Sequence, residues 1–199
     1  MTGLHPSGRS DDELRSALAA AMASFAEAVG AIDADDWDRD SPCDGWTVAD
    51  VVDHVVMGDV FAAEVLGGST LDEAVQRLHG IGSERAGAAD LVTEAAGDAL
   101  AAFAGPLDRL VEHPVGRITA RQFIGYRVLD QLGHSWDVRR GTRQSELLPD
   151  IALQVAVDVA RVELPMLNAS NHFATHLDSD DSEATDMGST FLRLIGRCE

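Results

Sequence analysis

The chain has 199 residues, a length that suits one domain over residues 1–199, and its 15 lysines and arginines against 34 aspartates and glutamates give a formal net charge of −19. So acidic a chain repels nucleic-acid backbones and anionic membranes, and we expect neither as a partner. It has no apolar run long enough to span a membrane and no basic leader before an apolar run, so we expect a cytoplasmic protein.

Helical periodicity dominates the first part of the chain. Ser10, followed by three acidic residues, is typical of a helix N-terminus, and apolar residues at helical spacing continue to Val29. An irregular stretch then ends at Thr47, a plausible N-cap, which predicts a second helix that stops at the glycines 67–68. A short helix is predicted over residues 71–78.

The second part of the chain has the same character. The pattern predicts three long helices and a short one, over residues 84–103, 119–140, 150–168 and 190–195. Pro114 to Gly116 separate the first two of these, and the acidic segment 169–186 is predicted to be a loop. Strand-like alternation is hard to find, so the predicted fold class is all-α, a bundle with at least four long helices.

Histidines and carboxylates at helical spacing suggest a metal site. Asp130 and His134 lie four residues apart on the fourth long helix, which places both on one face within reach of one ion. Asp50 and His54 repeat this spacing on the second helix. If the bundle brings the two faces together, they form a His, His, carboxylate set, which suits a divalent ion that keeps an open coordination position.

The same residues also have a structural interpretation. Helical phase groups polar side chains on one stripe of the fourth long helix, and such ladders commonly face water: Tyr126, Arg127, Asp130, His134 and Asp137. His54 lies at the edge of an apolar stripe, where a hydrogen-bonded, partly buried histidine is as good an interpretation as a ligand.

Two further features carry weaker signals. His172 and His176 are also four residues apart, but their segment lacks a helical pattern, so we expect a surface role for them. Cys43 lies just ahead of the second helix, whose N-terminus could activate a thiol, although a buried structural thiol is the favoured interpretation.

Two sequence blocks and the C-terminal segment resemble a known family. Residues 41–56 read SPCDGWTVADVVDHVV, which resembles the PCxGWTVxDLxxHVV signature of the DinB/YfiT-like metal-binding proteins. The closer resemblance is to the actinobacterial branch that includes the N-terminal domain of mycothiol-dependent maleylpyruvate isomerase. Residues 130–138, DQLGHSWDV, resemble that branch's second signature, and residues 190–197 are similar to the terminal helix of its single-domain members.

The resemblance implies a DinB-like four-helix bundle with additional short helices. It also implies that His54, Asp130 and His134 bind a divalent metal ion, for which Zn²⁺ is the first choice, so that the polar stripe lines an internal site. Asp50 is not a ligand in that family. The isomerase has Glu in the place of Asp130 and carries a further C-terminal domain, for which we expect this chain to have no residues left.

Together with the open metal site, the resemblance implies a thiol transferase or isomerase in which a metal-activated, mycothiol-type thiolate attacks a small electrophile. Asp137 is expected to orient a ligand, and Arg127 or Tyr126 to meet an anionic substrate. One alternative keeps the metal but uses bound water, which would make the protein a hydrolase. The other is a non-catalytic bundle that binds metal or a small molecule. Whether the chain forms a homodimer is also left open by the sequence.

Overall fold

The computed structural model describes residues 8–82, 85–168 and 186–197, and within them the chain is a helical bundle. Its elements are α1 (Asp11–Gly30), α2 (Val48–Gly67), α3 (Leu71–Leu78), α4 (Ala88–Ala102), β1 (Leu110–His113), β2 (Gly116–Thr119), α5 (Ala120–Gly141), α6 (Asp150–Asn168) and α7 (Met187–Leu194). The predicted all-α class is confirmed apart from one small hairpin. None of the described helices is long and apolar enough to cross a membrane.

Capping boxes explain where four of the helices begin. In each box a Ser or Thr hydroxyl accepts the backbone N–H three residues on, and the side chain of that residue accepts the N–H of the cap, at Ser10, Thr47, Thr70 and Thr119. The caps predicted at Ser10 and Thr47 are therefore confirmed. Asp50 is the exposed partner of Thr47, so capping explains its position in the sequence.

Helix α5 lies at the centre of the bundle and packs against α1, α2 and α6. Polar residues are buried on it together with apolar ones: Arg127 is only 6% exposed and Asp137 is fully buried. The interpretation of its polar stripe as a solvated charge ladder is therefore wrong. The neighbouring helices cover this stripe, which leaves its charged groups inside the molecule.

The main differences from the prediction are the β1–β2 hairpin and the starts of α4 and α7. The β1–β2 hairpin was not predicted because each strand has four residues and a single inward pair, Val111 and Ile118, which is too short to give a periodic pattern. Helix α4 begins at Ala88 after a 3-10 turn. Helix α7 begins at Met187 because the side chain of Asp186 caps it. Residues 169–185 of the predicted loop lie outside the described part of the chain.

Packing of α7 against α6 places Phe191 in the core, where it is fully buried, while Met187 on the same helix is 43% exposed. We expect Phe191→Ala to lower the free energy of unfolding by about 3–5 kcal/mol, because it removes a buried aromatic ring. Met187→Ala should change it by less than about 0.5 kcal/mol. Urea unfolding followed by circular dichroism measures both, and similar small losses would contradict the docking of α7.

Candidate metal centre

Three side chains with metal-binding groups meet between α2 and α5. Nε2 of His54 lies 3.3 Å from Oδ1 of Asp130, and Nε2 of His134 lies 3.5 Å from the same oxygen. Two ligands that each bind a tetrahedral zinc at about 2.1 Å are themselves about 3.4 Å apart. The spacing of these three groups therefore suits one small cation, and they are the same three residues that the His, His, carboxylate pattern singles out.

Asp130 is fixed from behind by Arg127. While Oδ1 of Asp130 faces the two histidines, its Oδ2 accepts a hydrogen bond from Nη1 of Arg127 at 2.8 Å. Burial alone would raise the pKa of Asp130, but the charge of Arg127, followed by those of His54 and His134, holds it well below the usual range. Asp130 is therefore an ionised carboxylate with one oxygen committed to Arg127 and the other available.

Arg127 is itself held by a second buried carboxylate. Its Nη2 donates to Oδ1 of Asp59 at 2.7 Å and to the carbonyl of Val55 at 3.3 Å, and Gln131 donates to the other oxygen of Asp59 at 2.6 Å. Burial raises the pKa of Asp59, although the charge of Arg127 opposes this. One guanidinium thus connects the carboxylates of α2 and α5.

Gly58 on α2 leaves the space that Arg127 occupies. A Cβ atom at this position would overlap the guanidinium of Arg127. The absence of a side chain at Gly58 lets the arginine pass close to the backbone of α2 and reach Asp59. This glycine is therefore part of the support for Asp130.

The second ring nitrogen of His134 faces a different carboxylate. Nδ1 lies 2.8 Å from Oδ2 of Asp137, and because an ionised carboxylate can only accept, Nδ1 carries a proton. Burial disfavours a charge on His134, but Asp130 and hydrogen bonds to Asp130, Asp137 and Cys43 raise its pKa well above the usual range. Nε2 is therefore the atom aimed at Asp130, the arrangement found in carboxylate–histidine–metal sites.

Asp137 receives donors from three parts of the chain. Besides His134, Nε and Nη2 of Arg197 reach its two oxygens at 2.8 and 2.9 Å, and Sγ of Cys43 lies 3.1 Å from Oδ2. Burial would raise the pKa of Asp137, but the hydrogen bonds from Arg197 and His134 lower it to about 2. The predicted role of Asp137 in orienting a ligand agrees with this contact to His134.

The loop ahead of α2 brings Cys43 and Trp46 to the site. Its two ends are held together by a β-bridge between Asp40 and Thr47, and the N–H of Ser41 donates to the carbonyl of Trp46 at 2.9 Å. Cys43 lies inside this closed loop, where its N–H donates to the hydroxyl of Ser41. The loop is therefore a fixed wall of the centre.

The site is open at His54. The ring of Trp46 lies 5.0 Å from that of His54 and 6.2 Å from that of His134, centroid to centroid. The side chain of His54 is 40% exposed, compared with 13% for Asp130 and 12% for His134. A small molecule would thus reach the three groups past His54 and Trp46. A pocket that also borders Asp130 and His134 is completed by residues of α5 and of the C-terminal segment: Leu129, Gly133, Ile195 and Arg197.

A second group of metal-binding atoms shares His134. Atoms of Cys43, His134 and Asp137 also lie within 4.8 Å of one another. However, Nη2 of Arg197 is 3.0 Å from Sγ of Cys43 and 2.9 Å from Oδ2 of Asp137. The negative charge of Asp137 is therefore already compensated by a guanidinium. The group formed by His54, Asp130 and His134 therefore suits a cation better.

Arg127 and Tyr126, the two residues predicted to meet an anionic substrate, are engaged with other side chains of the protein. The guanidinium of Arg127 is engaged with Asp59 and Asp130, and its side chain is only 7% exposed, so it supports the site from behind. Tyr126 donates to Glu163 on α6 at 2.9 Å, and burial together with that carboxylate raises its pKa. Both side chains thus have partners within the protein, and the expectation that either residue meets an anionic substrate stays a prediction.

Other sequence-based expectations have mixed outcomes. Cys43, interpreted as a structural thiol, contacts the polar site directly. No sequence pattern indicates that Arg197 reaches Asp137. Its place in the segment similar to a terminal helix is the one signal that points to it. His172 and His176 lie outside the described residues.

Comparisons with known proteins agree with this architecture. The family model described as the mycothiol maleylpyruvate isomerase N-terminal domain matches residues 18–139, a range that includes all three candidate ligands. An uncharacterized protein found in two strains of Mycobacterium tuberculosis is 30% identical over 137 residues, covering 67% of this chain and 70% of the relative.

Solved structures show the same fold. The crystal structures of the mycothiol-dependent maleylpyruvate isomerase and of a histidine-to-alanine variant of it match with TM-scores of 0.62 and 0.63. Each covers 79% of this chain and 71% of the other at 13% identity, so the likeness concerns the fold alone. The predicted DinB-like bundle is thereby confirmed.

The close approach of Arg127 to Gly58 leads to a test with two matched glycines. Gly58→Ala should lower the free energy of unfolding by about 1–3 kcal/mol, because the added methyl displaces a packed guanidinium. Gly97→Ala, at an exposed position of α4 with nothing nearby, should raise it by about 0.5–1 kcal/mol. Urea unfolding measures both, and the same sign for both substitutions would contradict the role of Gly58.

Proposed function

Because the chain belongs to the mycothiol maleylpyruvate isomerase N-terminal domain family, we propose that it is a divalent-metal-dependent enzyme that uses a mycothiol-type thiol to isomerise or modify a small electrophile. The single observation that carries the metal part is the position of one oxygen of Asp130, 3.3 and 3.5 Å from the Nε2 atoms of two histidines. The thiol part is supported by family membership.

Five residues would share the work of holding the metal. His54, Asp130 and His134 would be its ligands, with Zn²⁺ suited to two imidazoles and one carboxylate. Arg127 keeps Asp130 ionised and turns its free oxygen toward the histidines. Asp137 holds the proton of His134 on Nδ1, which leaves Nε2 to bind.

The open side of the centre determines where the reactants would bind. When bound, a divalent cation supplies a positive centre that lowers the pKa of a thiol placed beside it. The thiol would enter past the exposed edge of His54, beside the ring of Trp46. Behind Asp130 the side chains of Asp59, Arg127 and Gln131 are buried, which limits the approach of water from that side and so reduces competing hydrolysis.

Loss of a ligand tests the metal site. We expect the metal-free protein to bind one Zn²⁺ per chain in isothermal titration calorimetry. His54→Ala and His134→Ala should each weaken zinc binding by more than roughly 10- to 100-fold, which is the loss expected when a residue that only hydrogen-bonds to a ligand is removed. His79→Ala, at an exposed position just after α3, should bind as the original chain does. Zinc binding that survives in the His54→Ala, His134→Ala double variant would contradict the assignment.

Dependence on thiol tests the chemistry. We expect the zinc-loaded protein to convert a generic small electrophile, such as an activated alkene, only when mycothiol or another low-molecular-weight thiol is added. Conversion should be lost in His134→Ala and kept in His79→Ala. Consumption of the electrophile and of the thiol can be followed in parallel by liquid chromatography. Equal turnover without thiol would instead support a hydrolase, and zinc binding without turnover a binding protein.

A further inference from the structure

The carboxylate of Asp137 is fully buried, and its two oxygens have unequal partners. Both the Nδ1–H of His134 and the thiol of Cys43 point at Oδ2. Oδ1 receives Nε of Arg197 at 2.8 Å, while Nη2 of the same arginine reaches Oδ2 at 2.9 Å. Arg197 is thus the one of these three donors that engages both oxygens.

This difference decides what fixes the carboxylate. Two donors on a single oxygen leave the carboxylate free to turn about the bond that joins it to its own Cβ. A guanidinium that binds both oxygens side by side sets the plane of the carboxylate. It also neutralises a negative charge that is out of contact with water.

The end of α7 places Arg197 at this point. Gly196 adopts a left-handed conformation with φ +73, and the N–H of Arg197 then donates to the carbonyl of Leu192 at 2.8 Å. Phe191 and Ile195 anchor the same helix in the core. The turn directs the arginine side chain toward α5, 60 positions earlier in the chain.

We propose that Arg197 is a positioning residue of the centre, one that fixes the Asp137 carboxylate so that His134 keeps its Nδ1 proton and presents Nε2 to Asp130 and His54. The inference rests on the proposed function in so far as His134 is a metal ligand. Arg197 thus balances the charge of Asp137 as Arg127 balances that of Asp130, and it also fixes the plane of the carboxylate by contacting both oxygens. The C-terminal segment becomes part of the site through this one side chain.

The test compares Arg197→Gln and Arg197→Lys with Arg193→Gln, a control on α7 whose side chain has no hydrogen bond or ion pair among the described residues. The first measurement is the ¹H–¹⁵N signal of the His134 ring in the metal-free protein, assigned with His134→Ala. We expect a protected Nδ1–H in the original chain and in Arg193→Gln. Its exchange with water should be fastest in Arg197→Gln and intermediate in Arg197→Lys.

The second measurement is zinc affinity by calorimetry, at a temperature where unfolding curves show each variant to be folded. We expect the zinc affinity to fall about tenfold in Arg197→Gln, the lower end of the range for residues that support a metal ligand, and by less in Arg197→Lys. An unchanged His134 signal in folded Arg197→Gln would overturn the inference. If that variant does not fold, an unchanged signal in Arg197→Lys does so.

The two proposals can fail separately. If the original chain binds no zinc but the His134 signal still depends on Arg197, the metal-dependent function fails and the positioning role stands. If zinc binds normally and the signal is insensitive to Arg197, the reverse holds.

Discussion

The buried ion pair between Arg127 and Asp130 is the interaction on which the candidate centre depends. A charge inside a helical bundle is tolerated only when it is paired and hydrogen-bonded, and breaking one partner away costs about 3–5 kcal/mol. Arg127 is paired and hydrogen-bonded in this way, because it also donates to Asp59 through the space that Gly58 leaves open. Buried ion pairs in general add little net stability compared with a well-packed apolar core. Its consequence is an ionised carboxylate held at a defined place between two imidazoles.

The rest of the centre repeats this arrangement from other parts of the chain. Helix α5 supplies a carboxylate and an imidazole one turn apart, α2 supplies the second imidazole, and the capped start of α2 fixes the wall formed by Trp46. The C-terminal segment contributes Arg197. Although the chain carries a net charge of −19, arginines back the two carboxylates that face His134. Around His134 the buried carboxylates are therefore paired with positive groups, although the chain as a whole is acidic.

The sequence predicts local features well and the support of the site poorly. Helix starts follow from caps such as Ser10 and Thr47, which act within three residues. The candidate ligand trio rests on a spacing of four together with a family resemblance. Periodicity identified the polar stripe of α5 but not its environment, because a buried charged face and a solvated one have the same pattern. The role of Arg197 depends on a contact across 60 positions, which no local pattern encodes. Arg127 was placed on the correct face, but its partner Asp59 lies on another helix.

The central claim, that His54, Asp130 and His134 hold one divalent ion, is tested most directly by a crystal structure of the zinc-loaded protein with anomalous data at the zinc edge. The account predicts a single anomalous peak about 2.0–2.2 Å from Nε2 of both histidines and from an oxygen of Asp130. Nδ1 of His134 should remain on Asp137. A zinc ion bound instead to Cys43 and Asp137, or bound away from all of these residues, would contradict it.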